Sequence, residues 1–144
     1  MSYLDKIVLK PWGYEFCQTD DGRVAIWLLH IRAGHATSRH YHERKHTSLV
    51  LLSGNVRVLC RGSTLLWPAQ CVSVPPLEQH STCAIEDSWI MEIESPSDKN
   101  DLVRLGDDYG RVGHRYEDGN RVVRFDERAA FPASFDEVLW LGAW

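Results

Sequence analysis

None of the four cysteines, Cys17, Cys60, Cys71 and Cys83, forms a C-x-x-C pair. Their spacing therefore supports neither a zinc ribbon nor a dithiol redox motif. The opening Met1-Ser2-Tyr3-Leu4-Asp5-Lys6 is polar and lacks the basic-then-apolar pattern of a signal peptide. The expected compartment is the cytoplasm, where cysteines are buried thiols rather than bridges. No apolar run approaches the ~18 residues of a membrane span, so no membrane partner is expected. The net charge is only −4 and there is no basic patch, which argues against nucleic acid as a partner. Internal repeats and low-complexity tracts are also missing. A chain of 144 residues reads as one domain. It is long enough to bury roughly two-thirds of its unfolded surface without disulfide staples.

From about Lys6 to Ser95 the pattern is β throughout. Val24 to Ile31 and Ser48 to Leu52 are short apolar runs that suit strands buried on both faces. Ser53-Gly54-Asn55 and Arg61-Gly62-Ser63 read as turns, because Gly and Asn tolerate positive φ. Val56–Cys60, Thr64–Trp67, Cys71–Val74, Ser81–Ile85 and Ser88–Glu94 read as further strands. Pro75-Pro76 ends one of them, since proline cannot donate to a ladder. Short strands at intervals of about 8–12 residues indicate an antiparallel sandwich or barrel. After a polar break at 96–101, two turns are expected, at 107–111 and at 117–120. Ser134 as N-cap with Glu137 three residues on predicts a short C-terminal helix. Trp140, Leu141 and Trp144 are apolar enough to need burial against the barrel or a second subunit.

Two segments carry chemistry. His40-Tyr41-His42 lies on a strand, and His80 follows the Pro75-Pro76 turn. Residues i and i+2 of a strand share a face, so His40 and His42 converge, and His80 can join them from a neighbouring strand. Three neutral imidazoles around one cavity suit zinc, iron, nickel, copper or manganese.

These segments resemble the paired motifs of the cupin superfamily. The first motif, G-x5-H-x-H-x3/4-E-x6-G, is matched by Gly34, His40, His42 and Gly54. The second, G-x5-P-x-G-x2-H-x3-N, is matched by Pro75 and His80. Lys10-Pro11-Trp12-Gly13-Tyr14-Glu15 and Leu102–Arg111 are similar to the opening and tail of small mannose-6-phosphate isomerase-like cupins. The resemblance spans roughly residues 8–111. It implies an all-β protein, a small jelly-roll β-barrel over residues 1–100 with one divalent transition metal (Zn, Fe, Mn or Ni) in its mouth. Residues 101–144 would form an extension on the barrel or on a homodimer partner. The sequence departs from the motif at its glutamate, which falls at Thr47, or at His46 with the shorter spacing. The motif's glycines are Ala69 and Leu77, and its asparagine is Ala84. Metal binding would then rest on His40, His42 and His80 alone.

Around this set, His46 is a loop residue with a second reading as fourth ligand or nearby acid/base. Glu92, amid apolar strand residues, is either a base of raised pKa facing inward or a solvent-facing carboxylate, with the solvent side preferred. Lys10, Arg39, Tyr109 and Arg111 are candidates to meet an anionic substrate. Trp12 and Trp27 either wall the mouth or fill the core. His30 reads as a core group, and His35 and His114 as surface residues. Three functions remain. The leading one is a metal-dependent isomerase or epimerase of a sugar phosphate or nucleotide sugar. The second is a three-histidine Fe(II) dioxygenase of a small chelating substrate. The third is a non-enzymatic small-molecule-binding cupin.

Overall fold

The computed structural model describes residues 2–116 and 121–124. Among them lie twelve strands: β1 (Lys6–Lys10), β2 (Gly13–Asp20), β3 (Ala25–Ile31), β4 (Arg39–Tyr41), β5 (His46–Ser53), β6 (Val56–Leu59), β7 (Ser63–Leu66), β8 (Cys71–Val74), β9 (Ser81–Ala84), β10 (Ser88–Ser95), β11 (Val103–Gly106) and β12 (Arg121–Arg124). A seven-stranded sheet has the order β12-β1-β2-β3-β10-β5-β8. A three-stranded sheet β7-β6-β9 and a two-stranded sheet β11-β4 complete the all-β jelly-roll barrel, and every strand pair is antiparallel. The C-terminal helix expected from Ser134 and the turn at 117–120 lie outside the described residues. Among the described residues no helix is long and apolar enough to cross a membrane.

The main core fills the space between the sheets. Trp27, Leu29 and Ile31 of β3 meet Leu49 and Leu51 of β5, Val56 and Val58 of β6, and Ile90 of β10. A second cluster of Ile7, Tyr14, Phe16 and Trp89 covers the other side of the large sheet. His30 belongs there, its ring stacked on Tyr14 at 5.0 Å and tilted against Trp89 at 4.8 Å. β3 is therefore buried on both faces, as its unbroken apolar run implies. The apolar run in β5 behaves differently. Thr47, Leu49 and Leu51 point inward, while Leu52 is exposed, so this strand is covered mainly on one face.

Gly54 does not close a hairpin. It turns the chain from β5 in the large sheet into β6 in the small one. Its φ is +91°, and a Cβ there would sit 2.5 Å from the Asp87 carbonyl oxygen, so only glycine fits. Ala69 and Leu77, which stand where the cupin motif has glycine, keep the glycine conformation, with φ of 76° and 69°. Left-handed backbone costs a non-glycine residue about 1 kcal/mol. Each is held by its own N–H: Ala69 donates to the Leu51 carbonyl at 2.8 Å and Leu77 to the His42 carbonyl at 2.7 Å. The turn at Asp107–Arg111 is closed by the Asp107 carboxylate, which accepts from the Arg111 backbone and guanidinium.

Candidate metal centre

β4 and the start of β9 bring the three histidines together. His40 and His80 exchange backbone hydrogen bonds of 3.0 and 2.9 Å. His42, two residues along, shares the face of His40. Ring centroids lie 4.3 Å apart for His40–His80, 5.0 Å for His40–His42 and 5.3 Å for His42–His80. One nitrogen from each ring lies within 4.8 Å of the others.

Every ring has its tautomer set by the backbone. Nδ1 of His40 lies 2.8 Å from the Ser38 carbonyl, that of His42 2.6 Å from the Asp101 carbonyl, and that of His80 3.0 Å from the Glu78 carbonyl. A carbonyl only accepts, so each Nδ1 carries the proton and each Nε2 presents a lone pair. Burial is the largest cause that holds all three rings neutral. It lowers His40 well below its ordinary value, takes His42 to about 3 and also lowers His80. The neighbouring rings and the Lys45 ammonium push in the same direction.

Asp101 is the brace behind His42. Besides its carbonyl, its carboxylate accepts three backbone N–H groups, from Glu43 at 2.7 Å and from Arg44 and Lys45 at 2.9 Å. We expect Asp101→Ala to cost about 3 kcal/mol, because buried donors lose their acceptor. Alanine keeps the carbonyl that His42 bonds, so metal affinity should fall only through the loosened 43–45 turn, by less than the about 10–100-fold that follows when an orienting partner itself is removed. A denaturant melt with a metal titration on the same variant checks both. An unchanged affinity would mean that His42 is held without the brace.

Beside the imidazoles lies a cavity of about 60 Å³. Lys10, Trp12, Glu15, Glu92, Arg111 and Tyr116 are among its lining residues. So are Lys45, Lys99 and Arg104. Most of these charges are paired in a buried network. Lys10 lies 3.3 Å from Glu15, Lys45 2.9 Å from Glu94, and Lys99 3.3 Å from Glu92 and 3.7 Å from Glu94. Tyr116 donates to Glu15. Burial pulls the Lys10 ammonium down to about 8, with Glu15 partly offsetting it. Burial opposes ionisation of Glu15, but Lys10, Lys99 and the Tyr116 hydroxyl outweigh it and hold the carboxyl at about 2. Lys99 is raised: burial disfavours its charge, and Glu94, Glu92 and Glu15 more than restore it.

The structure thus sorts the residues singled out in the sequence. Lys10, Trp12 and Arg111 line the cavity, and Trp27 is core. Glu92 faces the cavity rather than solvent, correcting the preferred reading of its orientation. His46 is exposed, its Nε2 3.0 Å from the Ser73 hydroxyl, and neither joins the ligands nor reaches the cavity. The cause is the pleat of β5: Thr47 points inward and is fully buried, so His46 points out. Arg39 is exposed for the same reason, because its neighbour His40 points in. Tyr109 is half-buried and off the cavity, its ring stacked on His35 at 6.3 Å. Sequence reasoning passed over Glu15, Lys45, Lys99, Arg104 and Tyr116. Glu15 sits at an inward position of β2, a usable signal, and Lys45 lies just before β5, in phase with its inward residues Thr47, Leu49 and Leu51. Lys99 lies in a polar break that reads as an ordinary loop.

No protein-family model matches the chain, and a search of curated proteins finds no match. Solved structures do match. KdgF from Halomonas sp. superposes with a TM-score of 0.61 at 21% identity, over 62% of this chain and 85% of that one. An RmlC-like cupin from Shewanella frigidimarina gives 0.56 at 14% identity, over 60% and 78%. The DMSP lyase DddQ from Ruegeria pomeroyi gives 0.55 at 18% identity, over 63% and 50%. What these likenesses establish is the fold, that of the cupins.

Proposed function

We propose that this cupin-fold chain is a metal-dependent enzyme that moves a proton on a small anionic substrate, as an isomerase or epimerase of a sugar phosphate or nucleotide sugar. The observation that carries the reading is the set of three Nε2 lone pairs, each fixed by an Nδ1–H bond to a backbone carbonyl. That donor set fits a divalent transition ion such as Zn, Fe, Mn or Ni. The three nitrogens lie within 4.8 Å of one another, so His40, His42 and His80 would hold such an ion together. When bound, such an ion polarises a carbonyl or hydroxyl oxygen as a Lewis acid.

The chain's own groups do the rest. Glu92, on the cavity wall, takes the substrate proton at a carboxylate oxygen and returns it, while Lys99 at 3.3 Å keeps that carboxylate in place. Trp12 and Leu29 form an apolar wall that excludes water. Lys10 and Arg111 bring positive charge for an anionic substrate. The homodimer belongs to this proposal. It is supported by the exposed Leu59, Leu65 and Trp67 on and beside β6 and β7.

Elemental analysis of protein purified without chelator or histidine tag tests the reading. We expect about one equivalent of a transition metal in the parent and none in a His40→Ala/His80→Ala variant. The same metal should raise the melting temperature of the parent alone. A parent that stays metal-free after reconstitution with Fe(II), Zn(II), Mn(II) and Ni(II) would sink the proposal. A second reading, a three-histidine Fe(II) dioxygenase, is favoured by the all-imidazole donor set, since Thr47 replaces the motif's carboxylate. Oxygen consumption that requires Fe(II) would select it over isomerisation, which needs no oxygen.

A further inference from the structure

Five cations line the cavity: Lys10, Lys45, Lys99, Arg104 and Arg111. Four of them have a carboxylate within ion-pair distance, namely Glu15, Glu94, Glu92 and Asp107. Arg104 has none among the described residues. Its side chain is nonetheless buried, 5% exposed. Nη1 donates to the carbonyls of His114 at 3.0 Å and Arg115 at 2.8 Å. Those two bonds fix the plane of the guanidinium. On the opposite edge, Nε is buried and has no hydrogen-bond partner among the described residues. A buried cation without a counter-charge is costly.

Position adds to this. Arg104 on β11 is the cross-strand partner of His40 on β4. Directly opposed residues have Cβ atoms about 5 Å apart on one face. The free edge of Arg104 therefore belongs to the surroundings of the three imidazoles, not to a distant wall. Five cations against four carboxylates leave this region one positive charge in excess, before any divalent ion is counted.

We propose that the free Nε/Nη2 edge of Arg104 is the seat of a substrate oxyanion, a carboxylate or a phosphoryl group, bound side-on beside the metal centre. The planar fork matches two oxygens of either group, which a lysine cannot do. Arg104 thus sets substrate class, and its role deepens the reading given under Proposed function. The group it holds lies close to the atom that the imidazole site would polarise. The substrate carries its negative charge near its reacting carbon.

Calorimetric titration of the full chain with sodium malonate and with inorganic phosphate, each against sodium chloride of equal ionic strength, tests the seat. The parent should bind at least one of the two anions, and the tighter one identifies the source as carboxylate or phosphoryl. Arg104→Met should lose at least about tenfold in affinity. Arg104→Lys keeps the charge and can still reach a carbonyl, but lacks the fork, and should also lose several-fold. It decides the matter if the methionine variant does not fold. His80→Ala, which removes a metal ligand, should keep anion binding, so failure of the metal reading and failure of the seat are told apart. Equal affinity in parent and folded Arg104 variants, or no binding to the parent beyond sodium chloride, overturns the proposal.

Discussion

Acidifying the metal-free protein from about pH 6.5 to pH 5 is expected to destabilise it steeply, by up to about 3 kcal/mol per pH unit from His40 and His42. The sign follows from His40, His42 and His80. Each has a folded-state pKa below the free value of 6.5, that of His42 at about 3. Above pH 6.5 neither folded nor unfolded chain protonates them, and their neutral burial costs nothing in protons. Below it the unfolded chain binds protons that the folded chain refuses. Stability therefore falls as the pH falls, down towards the folded-state values. One such group contributes up to about 1.4 kcal/mol per pH unit; His40 and His42 carry the slope across the window, and His80 adds in the same direction. Glu15, held at about 2, stays ionised through this window and does not add to the loss. Denaturant melts at a series of pH values read the slope directly. A His40→Gln/His42→Gln/His80→Gln variant should flatten it. A parent with unchanged stability between pH 7 and pH 5 would show that the rings protonate in place, so that the site is wetter than its burial implies.

Glu94→Ala should be the most damaging single substitution in the barrel wall, costing about 3–5 kcal/mol. Glu94 is fully buried and lies 2.9 Å from Lys45, whose side chain is 2% exposed, and 3.7 Å from Lys99. Taking the carboxylate away leaves the buried Lys45 ammonium without its ion-pair partner, beside the other cations of the cavity, which is far worse than never having had the pair. Lys99 keeps Glu92 at 3.3 Å and suffers less. The contrast variant is Lys45→Met/Glu94→Leu. It removes both charges and replaces them with apolar volume, and such exchanges are often neutral. We expect it to regain most of the lost stability. Thermal and denaturant melts of parent, single and double variants form the cycle. If the double variant is as unstable as Glu94→Ala, the loss comes from packing and not from the stranded charge.

Much of this could be read from residue spacing. The i, i+2 pair His40 and His42 follows from the pleat, and the Pro75-Pro76 turn marks the end of β8 before His80. The same period-2 rule, applied strictly, also places Arg39 and His46 outside, because each neighbours an inward residue. Treating them as site candidates ignored that rule. Glu92 was harder. Its side of β10 depends on β3 and β5 flanking that strand, and on a register shift between Trp89 and Ile90. A local pattern does not contain either.

The sequence by itself determined the all-β class, the strand spacing and the three candidate ligands, because alternation and turn chemistry act over a few residues. That position 54 admits only glycine is by contrast a tertiary matter, since the obstacle to a Cβ is the Asp87 carbonyl brought there by the fold. His40 and His80 are fixed by carbonyls two residues back, but only the tertiary structure decided the partner of His42, since Asp101 reaches it across 59 positions of chain. The tertiary structure alone assembled the charge network from β1, β2, the loop before β5, β10 and the 99–116 segment. Burial turned those residues from surface charges into coupled pairs. It also left Arg104 as the cavity cation without a carboxylate among the described residues. Such pairings depend on which distant segments the barrel brings within about 4 Å, and no local rule encodes that distance.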